Sequence, residues 1–258
     1  PLLIPHVIKL CIQYRTTIPF IALSNPGFPY GGLPFASKFA MMNAFSDAFE
    51  LPYCLLDASS TREVRQDIAR QFLLKTSFPI IAKPDTGHRG LDVKKVGDQA
   101  ELDSLIASQG WDYILQAFSP LPEEFGVFYY KYPSQPVGDV LSITHKIIPV
   151  VVGDGKQTLE ALIQAGDFPQ KDHYLKTLNS VDRTRIPAEG ARENVMVTAA
   201  HCLGTTFADA THLKTPELVA TLNKICEDRG FHFGRFDLKA KSIDAFQKGE
   251  FHILEING

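Results

Sequence analysis

HILEING, His252 to Gly258, reads as a short strand with Glu255 and Asn257 two residues apart, so the two-residue period of a strand turns both side chains to one face. GRFDLK, Gly234 to Lys239, repeats the pattern with Arg235 and Asp237. If the two strands pair through the segment between them, two carboxylates, an amide oxygen and a guanidinium meet on one patch. Phe236, Leu238, Ile253, Leu254 and Ile256 surround these polar residues, and a carboxylate buried in such company needs a partner. Hard oxygen donors with no Cys or His among them suit magnesium, which keeps several waters and bridges a few carboxylates to phosphate groups. Asp237, Glu255 and Asn257 are therefore candidate ligands for one or two Mg2+ ions, with Mn2+ as an admissible substitute. ATP is the phosphate compound such a metal would accompany. The competing reading is a strand whose acids simply face solvent.

The composition sets the bounds. The chain has 258 residues and 45% hydrophobic content, enough for a sizeable core. Lys plus Arg number 26 against 29 Asp plus Glu, a formal charge of -3. No overall basic field exists to hold nucleic acid or an anionic membrane, so neither is expected as a partner and any phosphate site must be local. Apolar runs such as Ile147 to Val152 fall far short of the roughly 20 residues that a membrane-spanning helix needs. Cys11, Cys54, Cys202 and Cys226 show no CxxC pair or Cys/His spacing for zinc, which fits reduced thiols and a cytoplasmic protein. The chain opens on Pro1 and stops at Gly258 inside the motif, so further sequence is expected at both ends.

Upstream of the motif the chain alternates short strands and helices. NPGFPYGGLP, Asn25 to Pro34, is too rich in breakers for a helix or a central strand and reads as a linker. Ser37 can cap a helix through Glu50, with Phe39, Met42, Phe45 and Phe49 at helical spacing. Strands are expected at Tyr53 to Leu56, Phe78 to Ala82, Leu91 to Val96 and Tyr113 to Phe118, and helices at Thr61 to Lys75 and from Asp98 to Ser108. After Pro122, strands are expected at Phe125 to Tyr132, Val140 to Lys146 and Ile147 to Val152, then the turn GDGK and a helix to Ala165. Thr215 and Pro216 start a helix to about Asp228, and strands at Phe233 to Lys239 and Glu250 to Asn257 close the chain.

From about Ser37 to its end the chain resembles the ATP-grasp superfamily. SKFAMMNAFSDAFELPYCLL is similar to the lysine-led helix and strand that open many such folds, FPIIAKPDTGHRGLDVKKV to their lysine strand and glycine loop, and GRFDLK with HILEING to their metal-ligand strands. KPDTGHRG, EEFGVFYY, SITHKIIPVVVGDGKQTLEALI, AAHCLGTTFADAT and GRFD are similar to a carboxylate-amine ligase branch related to D-alanine-D-alanine ligase, and GDGKQTL also resembles cyanophycin synthetase. The resemblance implies an α+β, ATP-grasp fold: two α+β subdomains with mostly antiparallel sheets that sandwich the nucleotide. It divides the chain into residues 1–36, a remnant of an N-terminal substrate domain and linker, 37–115, a small subdomain with the glycine loop, and 116–258, a C-terminal subdomain with the metal site.

The same resemblance assigns candidate roles. Lys83, at a strand end before a loop, is the central ATP lysine, and Gly87, His88, Arg89 and Gly90 form the loop over the phosphates. Lys38 resembles the other family lysine, although a lysine in a first helical turn is commonly solvated surface. Gln116, Ala117 and Phe118 form the hinge that reads the adenine edge through backbone groups; many relatives carry a glutamate where Gln116 stands. Glu124 matches the ribose-binding position, with Glu123 as the alternative register, and Lys131 and Lys146 alternate into strands expected to face the phosphates. GDGK lacks the spacing of a phosphate loop and reads as a turn. His201 and Cys202 have no third metal ligand at suitable spacing and read as packed residues.

The expected activity is an ATP-dependent ligase that activates a carboxylate as an acyl phosphate and couples it to an amine, with Arg235, Lys83 and Lys146 as the catalytic cations. Its partners would be a small-molecule carboxylate and an amine, and a homodimer is compatible with the sequence. The rivals are a kinase or carboxylase on the same fold and a non-catalytic nucleotide-binding module.

Overall fold

The structure, a computed structural model, describes residues 3–17, 22–32, 36–87, 92–108, 110–167, 171–172, 175, 183–194 and 205–258. It is α+β with antiparallel sheets. The first sheet has the order β1 (Tyr53–Leu56), β4 (Tyr113–Ala117), β2 (Ile80–Pro84), β3 (Lys94–Val96). The second has the order β11 (His252–Asn257), β10 (Phe233–Ala240), β5 (Glu123–Tyr130), β6 (Asp139–Ile147), β9 (Thr206–Asp209). A small third sheet pairs β7 (Val150–Val152) with β8 (Arg192–Asn194).

Alternation sorts each sheet into an apolar and a polar face. In the first sheet Leu56, Ile80, Ala82, Tyr113 and Leu115 are buried against Ala69 and Phe72 of α3 (Arg62–Leu73) and Leu102, Leu105 and Ile106 of α4 (Gln99–Ser108). Both helices start as the sequence indicates. The Thr61 hydroxyl accepts from the Val64 amide, and the Asp98 carboxylate accepts from the Glu101 amide at 2.9 Å. The opposite face carries Ile81, Lys83, Ile114 and Gln116.

In the second sheet Phe125, Val127, Tyr129, Phe236, Leu238, Ile253 and Ile256 face the larger core. It is completed by Met41 and Met42 of α2 (Lys38–Ala44), Leu218 and Leu222 of α6 (Pro216–Cys226) and Phe246 of α7 (Ile243–Gln247). Phe45 meets Phe231 at 5.7 Å and Phe236 at 6.4 Å edge to face, a geometry that aromatic quadrupoles favour. That packing ends α2 earlier than its pattern suggests. Phe45 is fully buried and leaves helical geometry at φ -123°, and residues Ser46–Ala48 continue as a 3-10 turn.

Pro149 likewise divides what reads as one apolar strand. It has no N–H for a ladder, and the chain beyond it leaves the second sheet to form β7. The turn at Gly153 to Lys156 is held by Asp154, whose carboxylate accepts from the amides of Gln157 and Lys156 and is held down at about 2 by them. Helix α5 (Leu159–Ala165), capped by Thr158, follows.

The proline- and glycine-rich stretch is packed against the C-terminal strands through Asn25, which is 1% exposed. Its Oδ1 accepts from the amides of His232 and Phe233 and its Nδ2 donates to the carbonyls of Phe233 and Gly31. Gly27 permits this approach: a Cβ there would lie 1.7 Å from the Arg229 carbonyl oxygen. Among the described residues no helix is long and apolar enough to cross a membrane.

Candidate active site

Strands β10 and β11 are antiparallel neighbours, with Asp237 opposite Glu255 and Arg235 opposite Asn257. A bulge separates the pairs Asp237↔Glu255 and Leu238↔Ile253, so Leu254 has no partner in the ladder. The bulge allows Ile253 and Ile256, three residues apart, both to be 1% exposed in the core while Glu255 and Asn257 share the other face. The next strand, β5, sets Gly126 opposite Asp237 and Glu124 opposite Lys239, and β6 sets Lys146 opposite Glu124. Glu124, not Glu123, thus joins this polar face; Glu123 lies on the other side and bonds His145 at 2.8 Å.

Asp237 is the hub. Arg235 donates from Nε to its Oδ1 at 3.0 Å and from an Nη to its Oδ2 at 3.1 Å, a fork that fits a carboxylate in two places. The Lys146 ammonium lies 3.0 Å from Asp237 and 3.1 Å from Glu124. Burial pushes the Asp237 carboxyl up, but Lys146 and Arg235 outweigh it and leave its pKa lowered. Burial pushes the Lys146 ammonium down, but Asp237 and Glu124 reverse this and leave its pKa raised. Glu124 has its carboxyl raised by burial against the pull of Lys146 and Lys239. Gly126 keeps the centre open, since a Cβ there would sit 3.3 Å from the Arg235 stem and 3.6 Å from both Asp237 and Lys146.

The first sheet supplies the opposing groups. Lys83, 7% exposed at the end of β2, donates to Gln116 Oε1 at 2.8 Å within its own sheet and to the Leu254 carbonyl at 2.9 Å in the other. Burial lowers its pKa, Glu255 works against that, and Lys38 adds to it. Lys38 opens α2, donates to the Gly87 carbonyl and comes to 4.0 Å from Glu255. The start of α2 is pinned to the loop after β2 by Asp85, whose carboxylate accepts from the Ser37 hydroxyl at 3.0 Å and the Phe39 amide at 2.7 Å. Phe118, just beyond β4, lies between cations from both sheets: Lys95 is 4.7 Å and Lys239 5.8 Å from its ring centre.

Lys38, Lys83, Gln116, Glu124, Lys146, Arg235, Asp237, Glu255 and Asn257 are therefore gathered on the facing sides of the two sheets, with Ala117 and Phe118 at the connection. Lys131 is not. Strand β5 ends at Tyr130, and Lys131, whose amide donates to the His232 carbonyl at 2.7 Å, continues the alternation of Phe125, Val127 and Tyr129 on the side opposite Glu124 and Gly126. His88, Arg89, Gly90, His201 and Cys202 lie outside the described residues. Lys95, Gly126 and Lys239 were not anticipated, yet Lys239 follows from the period that joins Arg235 to Asp237. Burial pushes the Cys54 and Cys226 thiols up to about 12, so neither is a ready thiolate.

For a metal, the described residues contain no group of three or more His, Cys, Asp or Glu side chains that could hold one. What they offer is two carboxylates and an amide, Asp237, Glu255 and Asn257, on cross-strand neighbours, and the Asn257 Nδ2 is buried without a partner. An all-oxygen set of this kind fits magnesium shared with phosphate oxygens better than a metal held by protein alone.

No family model and no curated protein matches the chain. Solved ligases resemble it. One is the VanG D-Ala:D-Ser ligase of Enterococcus faecalis, 12% identical, with a TM-score of 0.48 over 86% of this chain and 51% of that one. The D-alanine-D-alanine ligase of Bacillus anthracis is 14% identical, with a TM-score of 0.47 over 86% of this chain and 56% of that one. The bifunctional glutathione synthetase of Pasteurella multocida is 14% identical, with a TM-score of 0.43 over 86% of this chain and 32% of that one. The chain thus spans between a third and just over half of the length of these structures, and at this degree of likeness the functional argument rests on its own residues.

Proposed function

We propose that the chain carries the nucleotide-binding and catalytic part of an ATP-grasp carboxylate-amine ligase. The observation that supports this most is the register that sets Asp237 opposite Glu255 and Arg235 opposite Asn257, while Lys83 crosses from the other sheet to the same strand. A phosphate-handling centre needs clustered cations, a place for a hard metal and a shielded interior, and the two inner faces have that composition.

In this reading Asp237, Glu255 and Asn257 hold magnesium, which when bound neutralises phosphate charge and aligns the terminal phosphate for transfer. Lys83 and Lys38 bind phosphate oxygens from the side of the first sheet. Lys146 does so from the second, exchanging part of its pairing with Glu124 and Asp237 for the ligand. Glu124 accepts from ribose hydroxyls, and the backbone of Gln116 to Phe118 borders the base. A substrate carboxylate attacks the terminal phosphorus, giving ADP and an acyl phosphate. Arg235 turns its guanidinium, 46% exposed as a side chain, toward the acyl phosphate and then toward the oxyanion formed when an amine attacks the carbonyl carbon. Phosphate leaves and the amide remains.

The test is incubation with MgATP and pools of carboxylic and amino acids, followed by ADP and phosphate assays and mass spectrometry. Phosphate release that requires both an acid and an amine, with a new condensed mass, is the expected result. A stable phosphorylated product with no need for an amine would replace the ligase by a kinase.

A further inference from the structure

Gln116 is 3% exposed on the inner face of the first sheet. Its Oε1 accepts from Lys83 at 2.8 Å, whereas its Nε2 is buried with no hydrogen-bond partner. An ammonium has donors only, so Lys83 takes the amide's oxygen and leaves its NH2 group as the spare donor. A buried N–H left unmade costs about 1–3 kcal/mol. A glutamate at this position would pair with Lys83 more strongly and leave no orphan, so the amide's distinctive contribution is the donor. That donor sits on β4 one residue before Ala117 and two before Phe118, where Lys95 and Lys239 flank the ring.

We infer that Gln116 reads the nucleobase as a donor: its Nε2 serves an acceptor ring nitrogen on a purine edge, and it selects for that acceptor rather than for an exocyclic amine. The inference rests on the ATP reading given above. Lys83 has a double part in it, since the group that reaches toward phosphate also sets which end of the amide meets the base.

Calorimetric titration of the 258-residue chain with ATP and with its 1-deaza, 3-deaza and 7-deaza analogues, in magnesium, tests it. Each analogue lacks one ring acceptor and keeps the amino group. One analogue is expected to bind about five- to tenfold more weakly than ATP, the worth of one hydrogen bond in a buried site. Gln116→Glu keeps the size of the side chain and the partner of Lys83; it should lose affinity for ATP by a similar factor and no longer distinguish that analogue. Equal binding of all three analogues and ATP to the unsubstituted chain would overturn the inference while leaving the ATP reading in place, as would unchanged discrimination in Gln116→Glu. No binding of ATP at all would overturn both. If Gln116→Glu fails to fold, Gln116→Met, of similar length and without a donor, takes its place: discrimination against that analogue should vanish, and discrimination that persists would assign it to the backbone and overturn the inference.

Discussion

Phe236 and Asp237 are neighbours in the chain and point to opposite sides of β10. On one side Phe236 is fully buried among Phe45, Tyr129 and Phe231; on the other Asp237 is 7% exposed among Lys146, Arg235 and Glu124. Both sides are dense, but for different reasons. The aromatic side is held by area removed from water and by shape. The charged side is held because each ion has been given a counter-ion, and its net contribution to stability is small unless a partner is removed. The apolar face makes the strand rigid, and the charged face is left with pairings that a ligand can exchange.

Phe236→Ala should therefore have the largest effect on stability, a loss of about 3–5 kcal/mol in chemical denaturation, as for other buried aromatic truncations. A loss below 1 kcal/mol would mean that this face is not the core. Asp237→Asn should cost about 3 kcal/mol, the low end for breaking a buried pair because Arg235 is half exposed. Its signature is in acid. The folded pKa of Asp237 lies below its ordinary 3.8, so its contribution is present above that value and is lost as pH falls through the lower folded value. The variant should lack that part of the acid transition and should also lose any stabilisation by magnesium. An unchanged acid arm would contradict the pairing described.

Lys83→Ala should destabilise by about 1–3 kcal/mol, because it strips Gln116 Oε1 and the Leu254 carbonyl of a buried partner. A strand-end lysine reads in the sequence as a side chain that adds little packing, and its bridge between the sheets makes it structural as well. Calorimetry should show a much greater loss of ATP affinity than the stability change alone accounts for. The smallest effect is expected for Lys131→Ala: under about 0.5 kcal/mol in stability and no change in ATP affinity. Weakened ATP binding there would show that the alternation of β5 does not continue past Tyr130 in the way described.

Local chemistry made part of this legible. The two-residue period placed Arg235 with Asp237 and Glu255 with Asn257, and Ser37, Thr61, Asp98 and Thr215 marked helix starts through hydrogen bonds made within a few residues. Features decided by distant partners were not. The early end of α2 depends on where Phe231 and Phe236 lie, the locked amide of Gln116 depends on Lys83, and the role of Asn25 depends on strand edges more than 200 residues away. The helix α1 (Leu3–Gln13) and α7 were not anticipated, nor were the short strands β8 and β9, whose three or four residues give a period too few repeats to register. Lys239 and Pro149 were available signals, one by alternation and one by its missing N–H.

The bulge at Leu254 gives β11 its unequal rhythm and frees a carbonyl from the ladder. A chain lacking Leu254 would alternate without interruption, with Ile253 and Ile256 still inward and Glu255 and Asn257 still outward. Such a flawless strand would have nothing at that point to offer Lys83. The irregularity works as a rivet: the second sheet gives up one rung of its own pairing, and with it fastens the first sheet beside the residues that must act together.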